Sequence, residues 1–300
     1  MAGLELLVCI DLKMSATAQM AHYVLAPKLC LEREDVTLLT DIWHDRPYSQ
    51  YTQTVVEAEG DKIEEWEFFW AMGRRMGLTL NLPHGPIDMQ DKPRKFDLLA
   101  NITHGSRVPL QEIYNTQGGK VFDVPDVILG PADPATAGRL QLYPPGLGEE
   151  FEAAYTDLHA AGSSDYPLLL VSRRMKNTYN STGPELSLLK SKGTTNPAFM
   201  HPLELAELGL NDGEIIEVRS RHGAIPAVAR ASDDIRPGVV SMSHCWGGSP
   251  DPLAHADEKI REIGSNTNRL VDNRANAEKY SGMCRQSSIP VAIGKMPASR

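Results

Sequence analysis

Three loops in the second half of the chain combine the residue types that bind phosphates and nucleobases. The arginine loop, residues 172–181, has three cations among amides and hydroxyls. The tryptophan loop, residues 243–248, reads Ser-His-Cys-Trp-Gly-Gly, and the asparagine loop, residues 264–269, reads Gly-Ser-Asn-Thr-Asn-Arg. Cations pair with phosphate oxygens, Asn amides match base edges, and Gly lets backbone approach a ligand closely. Together the loops predict a site for a large nucleotide-like anion, although each alone is also typical of a surface turn.

A second group of polar residues follows the first apolar run of the chain. Residues 4–10 predict a buried parallel strand, and Asp11, Ser15 and Thr17 come directly after it. Ligands of open α/β sheets bind beyond the carboxyl ends of strands, where helix starts attract anions. These three residues are therefore candidate ligand contacts, and the alternative is that the two hydroxyl residues only cap a helix.

The segments between the three loops predict a small closed β-barrel. Residues 166–172 and 238–242 are apolar runs typical of strands. Residues 214–220 and 224–231 are two further strand patterns on either side of a turn at 221–223. Short strands joined by tight glycine turns are typical of a small barrel.

Helices are predicted at three places. Residues 61–76 have helical apolar spacing, with Asp61 as the expected cap and Gly77 as the stop. A second helix is expected near 94–101. Residues 201–209 have a Pro at an early position and a Gly at the end, as short helices often do.

Length and composition indicate two domains. The chain has 300 residues with 41% hydrophobic and 23% charged residues, an ordinary globular composition, and domains average about 150 residues. Glycine, serine and acidic residues accumulate between 146 and 166. We expect an α/β domain over residues 1–150, a linker over 151–164 and a β domain over 165–300.

Several classes of function are disfavoured by what the sequence lacks. The formal net charge of −9 argues against a nucleic-acid partner. The four cysteines are scattered singly, so neither a disulfide framework nor a zinc finger is expected. The chain has no apolar run long enough for a membrane span and no signal peptide, which predicts a soluble cytoplasmic protein. It also lacks the common metalloprotease, nucleophile-elbow and nucleotide-binding motifs.

Short segments of the second half form one pattern: residues 196–202, 206–213, 218–223, 243–247, 264–270 and 281–283. The pattern covers residues 165–295 and resembles the molybdopterin-dinucleotide-binding domain. That domain is the carboxyl-terminal domain of the large subunits in the dimethyl-sulfoxide-reductase superfamily of molybdenum and tungsten oxidoreductases. The first half is similar to the α/β domain that precedes it, in these segments: 10–11, 15–18, 24–27, 31–33, 97–99 and 105–110.

The resemblance implies a partial Rossmann-like α/β domain followed by a double-psi β-barrel that covers two molybdopterin guanine dinucleotides with Mo or W. It also implies cofactor contacts at Arg173, Arg174, Asn177, Tyr179, Asn180, Ser181, His244, Trp246, Gly247, Asn266, Asn268, Asp11, Ser15 and Thr17. The residues of the first half would face a guanosine end. No catalytic or metal-ligating residue is expected in this chain.

Enzymes of this superfamily usually carry an iron–sulfur cysteine cluster and a metal-ligating residue in regions with no counterpart here. We therefore expect the carboxyl-terminal portion of an oxidoreductase that is inactive alone. Its expected partners are the missing amino-terminal domains, from a longer reading frame or from a separate subunit, and an iron–sulfur electron-transfer subunit is a further candidate. One alternative is a free-standing carrier of molybdopterin dinucleotide. Another is a barrel that binds a different protein or nucleotide, with the polar loops as solvent turns.

Overall fold

The computed structural model describes residues 3–38, 43–44, 46–125, 142–159, 165–176, 178–183, 186–190, 195–247, 260–272, 277 and 281–296. The chain divides into two compact units, Met1–Arg139 and Leu140–Arg300. The fold is mixed, with α and β elements in both units. The finer boundaries at 150 and 164 stay a prediction.

The first unit is built from short elements. Its strands are β1 (Val8–Ile10), β2 (Tyr23–Leu25), β3 (Asp35–Val36), β4 (Tyr48–Ser49), β5 (Tyr51–Thr52), β6 (Asn81–Leu82), β7 (Gly85–Pro86) and β8 (Lys120–Val121). Its helices are α1 (Ala16–Met20), α2 (Glu65–Arg75), α3 (Lys95–Ile102) and α4 (Leu110–Tyr114). The pairs β3–β5, β4–β8 and β6–β7 are antiparallel, whereas β1 and β2 are parallel.

The strand predicted at 4–10 forms only over β1, and it is less buried than expected. Its three residues are half-buried, and Leu4 and Leu6 just before it are 50% and 58% exposed. Within the described residues β1 pairs with β2 alone. A hydrogen-bonded neighbour covers only one edge of a strand, and the faces of a strand stay exposed unless other elements pack on them.

The helix predicted at 61–76 is confirmed, with a later start. It begins at Glu65, and the N-cap is Glu64 rather than Asp61. The Glu64 backbone N–H donates to the Glu67 carboxylate at 2.8 Å, so an acid of the first turn satisfies a donor at the helix start. The Trp70 side chain is buried, while Phe69 of the predicted apolar stripe is exposed. The helix expected near 94–101 is α3.

The second unit contains the remaining elements. Its helices are α5 (Leu147–His159), α6 (Ser187–Lys190), α7 (Pro202–Glu207) and α8 (Ile260–Ile263). Its strands are β9 (Leu168–Arg173), β10 (Ala198–Met200), β11 (Ile215–Arg219), β12 (Ala224–Ala231), β13 (Val239–Ser243) and β14 (Ile289–Lys295). Helix α7 is the one predicted at 201–209, and the His201 ring caps it by accepting from the Leu203 N–H at 3.2 Å.

These six strands form a closed barrel in the order β10, β12, β11, β14, β9, β13. Two neighbouring pairs are parallel, β10 with β12 and β9 with β13, and the others are antiparallel. The interior is apolar and closely filled, with Met200, Ile216, Met242 and Val218 almost inaccessible to solvent. The predicted closed barrel is therefore confirmed, and its apolar core supplies most of the stability that holds the loops in place.

Candidate functional site

The barrel brings the arginine loop and the tryptophan loop to the same edge. Strands β9 and β13 are parallel neighbours, with Arg173 opposite Ser243 at their carboxyl ends. Because both loops leave from these ends, they start side by side. Ser172 Oγ lies 3.4 Å from His244 Nδ1, which links the two loop starts directly.

The arginine loop presents two guanidinium groups. Arg173 Cζ lies 4.2 Å from the centroid of the Phe199 ring, a cation–π contact that orients the side chain. Arg174 Nη1 donates to Asn180 Oδ1, and Asn180 adopts a left-handed φ of 52°. Within the described residues neither guanidinium is paired with a carboxylate. Both charges are therefore available to an anion.

The other predicted members of the arginine loop take different positions. Tyr179 and Thr182 form a β-bridge, in which the Tyr179 N–H donates to Thr182 O at 3.2 Å. The Tyr179 side chain is 79% exposed, and Ser181 is also exposed. Asn177 lies outside the described residues. The loop therefore presents polar and aromatic groups at the surface of the barrel edge.

The tryptophan loop and the asparagine loop contact each other through glycine. The Gly247 N–H donates to Ile263 O at 3.0 Å. Gly247 has a φ of 70°, and a Cβ at this position would come within 2.6 Å of Asn266 N. A Cβ on Gly264 would lie 3.1 Å from Trp246 Cβ. Only residues without a side chain allow the two loops to approach this closely.

Of the two asparagines in the asparagine loop, one forms a hydrogen bond within the loop and the other lines a pocket. Asn266 caps a short 3-10 helix at Thr267–Leu270, and its Oδ1 accepts from the Asn268 N–H at 3.1 Å. Asn268 lines a narrow pocket together with Ser172 and His244. The structure thus brings at least one residue of each of the three predicted loops to one small pocket.

The buried N–H of Trp246 is the clearest sign that this edge takes a ligand. Among the residues that the structure describes, Trp246 Nε1 is a buried side-chain polar atom with no hydrogen-bond partner. A buried donor without an acceptor is costly, and buried indole N–H groups usually find one. The chain therefore fits a group that brings an acceptor to Trp246 and anionic oxygens to the two arginines, as a pterin dinucleotide would.

Cys245 is not suited to nucleophilic chemistry. Burial raises the pKa of its thiol above the ordinary value, and the nearby Arg174 opposes this only in part. Its φ of 70° is a strained conformation for a residue with a side chain. The thiol stays protonated at neutral pH, so its place in the loop is structural.

Asn196 is a site residue that the sequence reasoning missed. Its side chain is 2% exposed, and it bonds to Ser243 and to Ser265, which belong to two different loops. The only sequence signal was its position at the start of the segment 196–202. A buried amide directly before a strand could have indicated a loop-organising role.

The candidates of the first half lie in the first unit. Ser15 Oγ donates to Asp11 Oδ2 at 2.6 Å and accepts from the Ala18 N–H at 3.3 Å. The other carboxylate oxygen of Asp11 accepts from the Leu12 N–H at 2.7 Å. Asp11 and Ser15 therefore come together and Ser15 caps α1, while Thr17 is half-buried within that helix. Their contact with a ligand stays a prediction.

In the described parts of the chain, no group of three or more His, Cys, Asp or Glu side chains is arranged to hold a metal ion. The same parts contain no helix with the length and hydropathy needed to cross a bilayer.

Comparison with known proteins defines the class of the barrel. Residues 168–289 match the family model of the molydopterin dinucleotide binding domain. Over its wider span the chain is 27% identical to acetylene hydratase from Syntrophotalea acetylenica, over 80% of this chain and 33% of that protein. It is 20% identical to dimethyl sulfoxide/trimethylamine N-oxide reductase from Cereibacter sphaeroides, over 95% of this chain and 37% of that protein.

The solved structure of acetylene hydratase from Pelobacter acetylenicus has the same fold over 97% of this chain and 40% of its own length, with a TM-score of 0.66 and 23% identity. The chain thus spans about a third of the length of the curated relatives that it matches. Residues 168–289 thus match a pterin-dinucleotide-binding domain, and the chain is similar to the carboxyl-terminal-like portion of molybdoenzymes of the dimethyl-sulfoxide-reductase family, as the sequence resemblance implied. Its barrel is the domain that binds the pterin dinucleotide.

Proposed function

We propose that the chain is the carboxyl-terminal cofactor-binding portion of a molybdenum or tungsten oxidoreductase that uses two molybdopterin guanine dinucleotides. The observation that carries this proposal is the unpartnered N–H of Trp246, a buried donor of the tryptophan loop. The family match over residues 168–289 supports the same ligand class. When bound, the group would supply two-electron chemistry at its metal, and this chain would bind and orient it.

Each loop has a separate role in the proposed site. Arg173 and Arg174 bind the pyrophosphate, because their guanidinium groups have no carboxylate partner in the described structure. Asn180 orients Arg174 and offers its own N–H groups to the ligand, with Tyr179 and Ser181 alongside.

The other two loops would bind the pterin. Trp246 donates its N–H, while Gly247 lets the backbone approach and His244 lies beside it. Asn266 and Asn268 bind the polar edge of the pterin, and Asn177 is proposed from its place in the pattern alone.

The first unit would bind the guanosine end of one dinucleotide. Asp11, Ser15 and Thr17 follow a strand of a parallel pair, as ligand-binding residues of Rossmann-like domains do. We propose on this basis that residues 1–150 are part of such a domain. We also propose that the barrel at 165–300, which mixes parallel and antiparallel pairs, is of the double-psi type. Residues 151–164 would be the linker between the two domains, and helix α5 extends into this linker.

The proposed partner is the rest of the enzyme, because the relatives are about two and a half times as long as this chain. That remainder would contribute the metal ligand, and an iron–sulfur subunit would deliver electrons. The rest of the enzyme would also determine which class of substrate is used. We further propose that the protein acts in the cytoplasm.

Cofactor retention by the purified full chain tests the proposal. The chain is mixed with molybdopterin guanine dinucleotide and passed over a gel-filtration column, and pterin fluorescence is measured in the protein peak. We expect retention that falls about tenfold or more in Arg174→Ala, the loss expected for a charge-assisted hydrogen bond. Arg236→Ala is the matched control, because Arg236 is exposed on the loop before β13, at the other end of that strand. Equal retention by both variants, or none by the wild type, would contradict the proposal.

A further inference from the structure

The Asn196 side chain uses all of its hydrogen-bonding groups inside the protein. Nδ2 donates to Ser243 O at 2.7 Å and to Ser265 O at 2.8 Å. Oδ1 accepts from the Ser265 N–H at 2.8 Å. An amide offers two donors and one acceptor oxygen, so no other side chain of this size could make the same three contacts.

These contacts join two loops that are distant in sequence. Ser243 ends β13 and begins the tryptophan loop, whereas Ser265 belongs to the asparagine loop. The Ser265 hydroxyl also donates to Pro226 O on β12, which ties the asparagine loop to the barrel wall. Asn196 itself precedes β10, and the apolar barrel core is made by other residues. One buried amide therefore fixes the spacing of two ligand loops without belonging to the barrel's core.

We propose that Asn196 is a positioning residue that orders the tryptophan and asparagine loops before the cofactor binds. The inference rests on the proposed function and adds a residue that touches no ligand atom. By holding Ser243 and Ser265 to one side chain, Asn196 fixes Trp246 and Asn266 in their bound arrangement. Preordered loops bind more tightly because the cost of ordering them is already met in the free protein.

Asn196→Asp separates this role from general support of the fold. The substitution keeps the shape but removes both N–H donors, so an ionised carboxylate would face the Ser243 and Ser265 carbonyl oxygens. Burial and these two oxygens disfavour the charged form and raise the pKa of the introduced carboxyl above its usual value of about 4. Its protonated form can donate one hydrogen bond again. The loops of the variant should therefore be ordered at low pH and loosen as the pH rises, while the wild type does not respond.

Hydrogen exchange measured by mass spectrometry on the full chain without cofactor gives the direct test. At about pH 8 we expect residues 243–247 and 265–270 to exchange at least about tenfold faster in Asn196→Asp than in the wild type, after correction for intrinsic rates. At about pH 5 the difference should shrink, because the introduced carboxyl is then protonated. Exchange in β11 and β12 should not change. Asn211→Asp is the matched control, because Asn211 is an exposed amide of the same unit. In this variant, residues 243–247 and 265–270 should exchange at the wild-type rate.

A second variant keeps the test decisive if Asn196→Asp does not fold. Asn196→Ala removes all three side-chain contacts, introduces no charge and adds no atom beside either loop. We expect faster exchange in residues 243–247 as well as in residues 265–270. A change confined to residues 264–270 would overturn the inference, as would a pH-independent change spread over the whole barrel in Asn196→Asp.

Pterin retention distinguishes the two proposals. If the wild type retains the dinucleotide, Asn196→Asp should release it about tenfold faster at about pH 8 and closer to the wild-type rate at about pH 5. Equal release with unchanged loop exchange would overturn the positioning role alone. If the wild type retains no dinucleotide, the proposed function fails, while loop exchange still decides whether Asn196 couples the two loops.

Discussion

Replacing Trp246 by Phe removes the unpartnered N–H and keeps an aromatic ring in the tryptophan loop. In the cofactor-free chain, a buried donor without an acceptor costs about 1–3 kcal/mol, and its removal offsets the loss of about 1 kcal/mol expected for the smaller ring. The free energy of unfolding of the cofactor-free chain should therefore stay the same or rise slightly. The dinucleotide should bind about tenfold more weakly, because one hydrogen bond to it is lost.

Trp70→Phe is the matched control in the same chain. Trp70 is also buried, but its Nε1 donates to Asp88 O at 2.7 Å. Its substitution should lower the free energy of unfolding by about 1–3 kcal/mol, because the Asp88 carbonyl loses its donor, and should leave cofactor affinity unchanged. Urea titration gives the stabilities and fluorescence titration gives the dissociation constants. If Trp246→Phe lowers stability as Trp70→Phe does and leaves affinity unchanged, the assignment of the indole N–H to the cofactor is wrong.

Three further variants or reactions test other parts of the structure. Gly247→Ala should destabilise the chain by about 1–3 kcal/mol more than Gly238→Ala in urea titrations; both glycines have a positive φ, but only a Cβ on Gly247 would clash with backbone. Ser15→Ala should lower the free energy of unfolding by about 1 kcal/mol through its lost cap. If Ser15 also faces the guanosine end, dinucleotide affinity should fall, and unchanged affinity would restrict Ser15 to its cap. Because burial raises its thiol pKa, Cys245 should be alkylated more slowly at neutral pH than the exposed Cys30, and equal rates by mass spectrometry would refute this.

The barrel could be predicted from the sequence only in part, for a physical reason. Strands β9 and β13 are mainly apolar runs, β11 and β12 lie on either side of a glycine turn, and the prediction of these four strands was confirmed. Strand β10 has only three residues between two prolines, and β14 contains a proline and a glycine, so neither has a clear pattern. These two strands are needed to close the barrel, and their pairing depends on contacts far away in sequence.

The loops of the site were predictable as segments, whereas their mutual contacts were not. Arg173 and Ser243 could each be placed at the end of an apolar strand, but their register across β9 and β13 is a property of the folded barrel. Asn196 bonds to residues 47 and 69 positions away, and no local pattern encodes such contacts. The unpartnered N–H of Trp246 is likewise visible only when the surrounding atoms are in place.

The first half was harder to predict because its elements are short and its motifs weaker. The apolar run at 4–10 indicated a buried strand, but most of it lies outside β1, and β1 is only half-buried. Helix α2 was predicted correctly as a helix, but N-cap propensity favours Asp61, whereas the helix begins three residues later, after Glu64, whose side chain makes no capping hydrogen bond.

The nuclear magnetic resonance signal of the Trp246 indole N–H reports whether the cofactor binds at this edge of the barrel. The signal can be assigned by its disappearance in Trp246→Phe and followed as molybdopterin guanine dinucleotide is added to the full chain. If the ligand accepts a hydrogen bond at the barrel edge, the signal should move downfield and exchange more slowly with solvent, while the Trp70 signal stays in place. Dinucleotide binding that leaves the Trp246 signal unchanged would contradict the assignment of this edge as the cofactor site.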